Sequence, residues 1–168
     1  MKIILISDTH YTIDNRIYKF LEKCDEIWHA GDIGSMELID DLQKYGKVRA
    51  VWGNIDNHET RKELKQIEYF KCDKLKVMMT HIGGYPKRYS KGIKQKLLKF
   101  KPDLFISGHS HILKIVYDKE LNLIHMNPGS IGNEGIHKIK TLISFEITKN
   151  KINNVKVIEL EKLSNSIS

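Results

Sequence analysis

The sequence predicts an α/β fold, one domain built around a parallel sheet. Three observations point there. In the first half, short β-branched apolar runs alternate with amphipathic stretches, giving three β-then-α units within about fifty residues, the signature of parallel pairing. The second half changes to short strands separated by Asn, Gly and Lys turns. The chain has 168 residues, the size of one domain, and a chain of this length buries roughly 70% of the surface its unfolded form exposes.

Residues 2–7 are an Ile-rich run ending in Ser7-Asp8-Thr9-His10, as expected of a strand that delivers its C-terminal end to a loop. A helix follows: Ile17, Phe20 and Leu21 recur at i, i+3, i+4 behind Asp14 as cap. Residues 26–30 read as a second strand ending at Gly31-Asp32. Met36, Leu38, Ile39 and Leu42 mark a helix closed by Gly46, and residues 47–52 give a third strand ending at Gly53-Asn54. Residues 67–72 and 75–80 read as a hairpin around Asp73-Lys74, or as one short and one longer strand. Ile93, Leu97 and Leu98 mark a lysine-rich helix stopped by Pro102, and residues 103–107 are another buried strand. Residues 112–117, 123–126, 141–147 and 155–160 read as antiparallel strands, and the tail 162–168 is expected to fray. No repeat, low-complexity tract or linker divides the chain, so residues 1–168 are taken as a single domain.

Lys and Arg number 28 against 21 Asp and Glu, a net charge of +7, and 24 of the 28 are lysine. Such a balance serves solubility, or makes a field that attracts phosphorylated substrates; charge alone does not choose. The longest apolar run, Ile3 to Ile6, is far short of the roughly 18 residues of a membrane span, so no membrane association is expected. Cys24 and Cys72 stand far apart without a C-x-x-C partner, which argues against a disulfide scaffold or a thiolate zinc site and fits a reducing cytoplasm.

Chemistry enters with the polar residues that end the strands. Asp8-x-His10, Gly31-Asp32, Gly53-Asn54, His81 and Gly108-His109-x-His111 each follow a predicted strand. The carboxyl ends of parallel strands converge along one rim, so these residues are expected to meet. Their oxygens and imidazoles, without thiolates, suit Mn, Fe, Zn or Ni rather than Ca. Glycine before Asp32, Asn54 and His109 lets the backbone turn sharply and approach a ligand. Each signal alone is commonly a turn or a cap. Five in succession, all at strand ends, favour a metal site.

With these motifs in hand the chain resembles the calcineurin-like metallophosphoesterase superfamily, whose set D-x-H, G-D, G-N-H-[DE], H, G-H-x-H stands here as D-T-H, A-G-D, G-N-I-D, T-H-I-G-G and G-H-S-H. Its length and the late Asn127-Pro128-Gly129-Ser130 resemble the small bacterial and archaeal phosphodiesterase branch. The resemblance implies a four-layered α/β sandwich carrying two divalent metal ions, manganese first, with nickel, zinc, iron or cobalt as alternatives. It implies that Asp8, His10, Asp32 and His111 hold one ion and Asp32, Asn54, His81 and His109 the other, with Asp32 bridging. It also implies attack by a metal-bridging hydroxide on a small phosphodiester or nucleotide-like substrate. The alternatives are a phosphomonoesterase or nuclease of the same superfamily, or a protein-interaction scaffold, since the fold also resembles a retromer subunit that acts as a binding platform. Small relatives often associate, so a homo-oligomer is an open expectation.

Asn54, Asp56 and His58 are the candidate catalytic residues. Ile55 departs from the pattern, because relatives with a strong general acid carry His there; Asp56 still matches the acidic position, and His58 either lines the site or begins the next helix. His29 is expected to be a buried support, and His125 and His137 structural or solvated. Between Pro86 and Pro102 lie Lys87, Arg88, Lys91, Lys94, Lys96, Lys99 and Lys101 without an acid: a solvated helix face for most, or a steering surface for phosphate esters, with Tyr85 and Tyr89 as a stacking surface near His81. Nucleic acid is left open as a partner, although no module that reads it accompanies the charge.

Overall fold

In a computed structural model, which describes residues 1–161, the chain runs β1 (Lys2–Ile6), α1 (Tyr18–Leu21), β2 (Glu26–His29), α2 (Met36–Gln43), β3 (Lys47–Ala50) and α3 (His58–Glu63). It continues through β4 (Ile67–Cys72), β5 (Leu75–Thr80), β6 (Gly84–Tyr85), β7 (Arg88–Tyr89), α4 (Ile93–Phe100), β8 (Leu104–Ile106), β9 (Leu113–Asp118), β10 (Leu123–Pro128), β11 (Ile139–Thr148) and β12 (Lys151–Glu161). The tail expected to fray, 162–168, lies outside the described residues.

The strands form two five-stranded sheets, ordered β12-β11-β1-β2-β3 and β4-β5-β8-β10-β9, and a small ribbon of β6 and β7. In the first sheet β1, β2 and β3 are parallel, while β11 and β12 extend its other edge antiparallel. In the second, β5, β8 and β10 are parallel, with β4 and β9 antiparallel at the edges. Both sheets are thus mixed, where the sequence suggests one parallel sheet followed by antiparallel strands. The difference lies in β10, which is antiparallel to β9 on one side and parallel to β8 on the other.

Burial explains why β1 shows no alternation. Its Ile3 and Leu5 face the second sheet together with Trp28, Val77, Met79, Leu104, Ile106, Met126 and Phe145. Ile4 and Ile6 face the other way, into a cluster with Ile17, Leu21, Ile39 and Leu42 from the helical side. A strand covered on both faces needs apolar residues at every position. On the far side of the second sheet, Met78 and Phe105 pack against Ile93 and Leu97 of α4. The result is helix, sheet, sheet, helix, the four layers of the calcineurin-like sandwich. Among the described residues no helix is long and apolar enough to cross a membrane.

Candidate metal centre

The C-terminal ends of β1, β2 and β3 in one sheet and of β5 and β8 in the other meet at one rim, and the polar residues that follow them converge. Two groups of donor atoms form there: Asp8, His10 and His111, and Asp32, His81 and His109, each within 4.8 Å of one another. Asp32 Oδ2 stands 3.2 Å from His81 Nε2 and 3.7 Å from His10 Nε2, so it lies between the groups. Asn54 Oδ1 is 3.1 Å from His81 Nε2. All seven residues expected from the motifs are therefore gathered at one place.

The backbone has to bend to do this. Asp8 (φ 56°), His10 (47°), Asp32 (54°), His109 (69°) and His111 (57°) all take left-handed conformations. Non-glycine residues seldom do so outside sites that hold them there. Main-chain bonds between loops supply the hold, from Asp8 N to Gly31 O (3.0 Å), His10 N to Asp32 O (3.1 Å) and Gly108 N to His81 O (3.0 Å). Two glycines permit the close packing. A Cβ at Gly53 would lie 2.1 Å from Asp32 Oδ1, and one at Gly108 2.1 Å from Ser7 Oγ.

Hydrogen-bond chemistry tests whether these residues suit a cation. His81 Nδ1 is 2.8 Å from the Ala30 carbonyl, which only accepts, so Nδ1 carries the proton and Nε2 of the neutral ring presents a lone pair. That lone pair faces Asp32 Oδ2, Asn54 Oδ1 and, at 3.9 Å, Asp8 Oδ1. Acceptor facing acceptor calls for a positive charge between them. Asp8 Oδ1 and His10 Nε2 are moreover buried without a hydrogen-bond partner, an arrangement that a bound cation resolves. The residues fit a divalent metal. Burial opposes the charged form of His81, but Asp32 and Asp8 outweigh it and raise its pKa: the carboxylates draw positive charge to this point, whether a proton on Nε2 or a bound cation. Burial likewise opposes ionised Asp32, and His81, the Ile55 amide and His10 outweigh that and lower its pKa.

Asp56, expected among the catalytic residues, has its carboxylate engaged by backbone amides. Its Oδ1 accepts from the Ile33 and Gly34 amides (2.9 and 2.8 Å) and its Oδ2 from the Gly53 amide at 2.7 Å. The buried carboxylate is used up in tying the loop after β2 to the loop after β3. His58 is the exposed first residue of α3, behind Asn57, whose Oδ1 caps the Thr60 amide, and it belongs to neither donor group. The expected tyrosine surface is absent: Tyr85 bonds Ser110 and packs edge-on against His125, while Tyr89 bonds Asp118.

Several supports carry weak sequence signals. His29 Nδ1 accepts from the Gly31 amide at 3.2 Å, which leaves Nε2 to donate to Thr9 Oγ1 at 2.9 Å; Thr9 in turn donates to the Ile33 carbonyl. Asn127 Nδ2 donates to the Gly108 carbonyl at 2.8 Å and Ser130 Oγ to the Asp8 carbonyl at 3.1 Å, so the Asn-Pro-Gly-Ser segment braces the loops that carry His109 and Asp8. His137 packs edge-on against His111, a contact that neighbouring residues do not announce.

A family model described as the calcineurin-like phosphoesterase superfamily domain matches residues 1–150. The chain belongs to the calcineurin-like phosphoesterase superfamily. A probable metallophosphoesterase from Methanothermobacter thermautotrophicus is 30% identical over 136 residues, covering 77% of each chain. Among solved structures, zinc-complexed Vps29 from Entamoeba histolytica has a TM-score of 0.74 at 18% identity, over 96% of this chain and 99% of that one. A structure described as a novel archaeal phosphodiesterase has a TM-score of 0.68 at 22% identity, over 95% and 100%. At such identities these two show a shared fold.

Proposed function

We propose that this calcineurin-like protein is a dinuclear metal-dependent phosphodiesterase acting on small substrates in the cytoplasm. One observation carries the reading: Asp32 Oδ2 lies between two separate donor groups, within 3.7 Å of His10 on one side and 3.2 Å of His81 on the other. Asp8, His10 and His111 would hold one ion and His81, His109 and Asn54 the other, with Asp32 shared. A pair of divalent cations supplies a nucleophile from water at neutral pH and neutralises charge on the phosphoryl oxygens. Manganese heads the candidates because the donor set combines carboxylate and amide oxygens with imidazoles and has no thiolate.

The chain's own residues do the rest. The Ala30 carbonyl fixes the tautomer of His81, the Ile55 amide holds one oxygen of Asp32 so that the other faces both groups, and the Asp8 carboxylate is oriented by the His109 amide at 3.2 Å. Asn54, exposed at the rim, would meet the phosphoryl group.

The test strips the protein with chelator, reloads it with Mn, Ni, Zn, Fe or Co, and measures bound metal together with turnover of bis(p-nitrophenyl) phosphate and of p-nitrophenyl phosphate. Diester turnover that requires metal and exceeds that of the monoester is the expected result. Vps29 from Entamoeba histolytica has been solved with zinc bound, so metal content alone is insufficient; full loading with no ester hydrolysis would overturn the enzyme and leave the interaction scaffold.

A further inference from the structure

Beside the candidate metal centre lies a cleft of about 580 Å³, with Asn54 and His81 among its lining residues. Its walls are of two kinds. Trp52, Ile67, Ile82 and Ile93 make an apolar body, and Arg61, Lys91 and Lys96 bring cations to it; none of its lining residues is acidic. These cations differ from their neighbours in the basic stretch. Lys94, one turn from Lys91 and two residues from Lys96, is paired with Glu120 at 2.6 Å, whereas Arg61, Lys91 and Lys96 form no ion pair among the described residues. Arg61 is held in place by other means, donating to the Asn54 carbonyl at 2.8 Å with its guanidinium 4.6 Å from the centre of the Trp52 ring.

A concave site with apolar walls and a few placed charges takes a ligand of matching composition. The volume is within the roughly 300–1,000 Å³ of small-molecule sites, enough for a ring system with a substituent. Three cations without a counter-charge call for an anion. Asn54 and His81, which belong to the candidate metal centre, are among the residues that line the cleft, so a ligand in it would lie next to that centre.

We infer that this cleft is the subsite for one ester arm of the substrate, and that the arm it accepts carries a ring and a second anionic group, as a phosphorylated nucleoside does. The inference rests on the phosphodiesterase reading and adds the substrate class to it. Lys91 and Lys96 bind the second anion; Arg61 lines the passage between it and Asn54.

Two substrates with the same aryl ester test it: thymidine 5′-(p-nitrophenyl phosphate), and its analogue carrying a further phosphate on the 3′ oxygen. The analogue should have a KM about tenfold lower, the scale of two charge-assisted contacts to the exposed Lys91 and Lys96. In Lys91→Gln/Lys96→Gln the ratio of the two KM values should fall toward one. Calorimetry supplies a readout independent of turnover: thymidine 3′,5′-bisphosphate should bind the metal-loaded protein about tenfold more weakly in the double variant. A KM ratio near one in the native protein, or bisphosphate binding untouched by the double variant, overturns the subsite. Failure of every ester to react would overturn the phosphodiesterase reading instead, and the calorimetric comparison would still decide whether the cleft takes the second anion.

Discussion

Ile55 donates its backbone amide to Asp32 Oδ1 at 3.0 Å. A residue whose aliphatic side chain has no proton to donate thus still orients the carboxylate that lies between the two donor groups. Main chain and side chain serve different ends at this position, and they separate experimentally.

On the phosphodiesterase reading, the aliphatic Ile55 gives the departing oxygen no proton. General acid catalysis is worth roughly 10²–10⁴-fold and matters most for poor leaving groups. Rates for a series of aryl and alkyl diesters should therefore fall steeply as leaving-group pKa rises. Ile55→His, which keeps the amide bond to Asp32, should flatten the dependence. A shallow dependence in the native protein that steepens in His58→Ala would show that His58 donates the proton and defeat the prediction.

Asp32→Ala removes the carboxylate oxygen that stands 3.7 Å from His10 and 3.2 Å from His81. Metal content measured by mass spectrometry should fall for both ions, and diester turnover should fall with it by at least about a hundredfold, the scale expected when a two-metal arrangement is lost. Two retained ions and a near-native rate would show that Asp32 is not shared.

Asp56→Ala should behave differently, because Asp56 acts through the loops. Three buried amides lose their acceptor, at about 1 kcal/mol or more each, so the melting temperature should drop and apparent metal affinity weaken. Excess manganese should restore most of kcat. A kcat that stays low at saturating metal would mean that the carboxylate takes part in the chemistry.

Stability should depend on pH through His125. It is buried beside Phe105, and burial pushes its pKa down to about 4 from 6.5. Between those values the unfolded chain binds a proton that the folded one refuses, so stability is full above pH 6.5 and is lost as pH falls. From pH 7.5 to 5.0 the loss amounts to about 2 kcal/mol for this group. His29, also buried and pushed down to about 4, acts in the same direction. With chelator present, the drop in melting temperature between the two pH values should be smaller in His125→Phe than in the native protein; an equal drop would remove His125 as a source.

The rim of the sandwich could be read from sequence because each motif follows a short run that reads as a strand, buried in β1, β2, β5 and β8 and only partly so in β3. The split into two sheets could not. It depends on β1 pairing with β11 near residue 145 and on β10 lying between β8 and β9, and no local pattern encodes such long-range choices. Asp56 shows the same limit at one residue: an acid at the motif position is visible, but the amides of Ile33 and Gly34 that occupy it come from a different loop. Among the lysines, composition groups Lys91, Lys94 and Lys96, and only the direction of each side chain on and before α4 sets the two at the cleft apart from the one paired with Glu120.

The donors come from both sheets, Asp32 from the end of β2 in one and His81 from the end of β5 in the other. A cation held by both is a rivet through the two layers. Sliding or parting the sheets would tear its coordination sphere, so metal occupancy and the integrity of the whole sandwich are thermodynamically linked. At a free metal concentration a hundred times its Kd, each ion adds about 2.7 kcal/mol to the unfolding free energy. Metal supply would then govern how long the folded protein survives in the cell as well as whether it can act there.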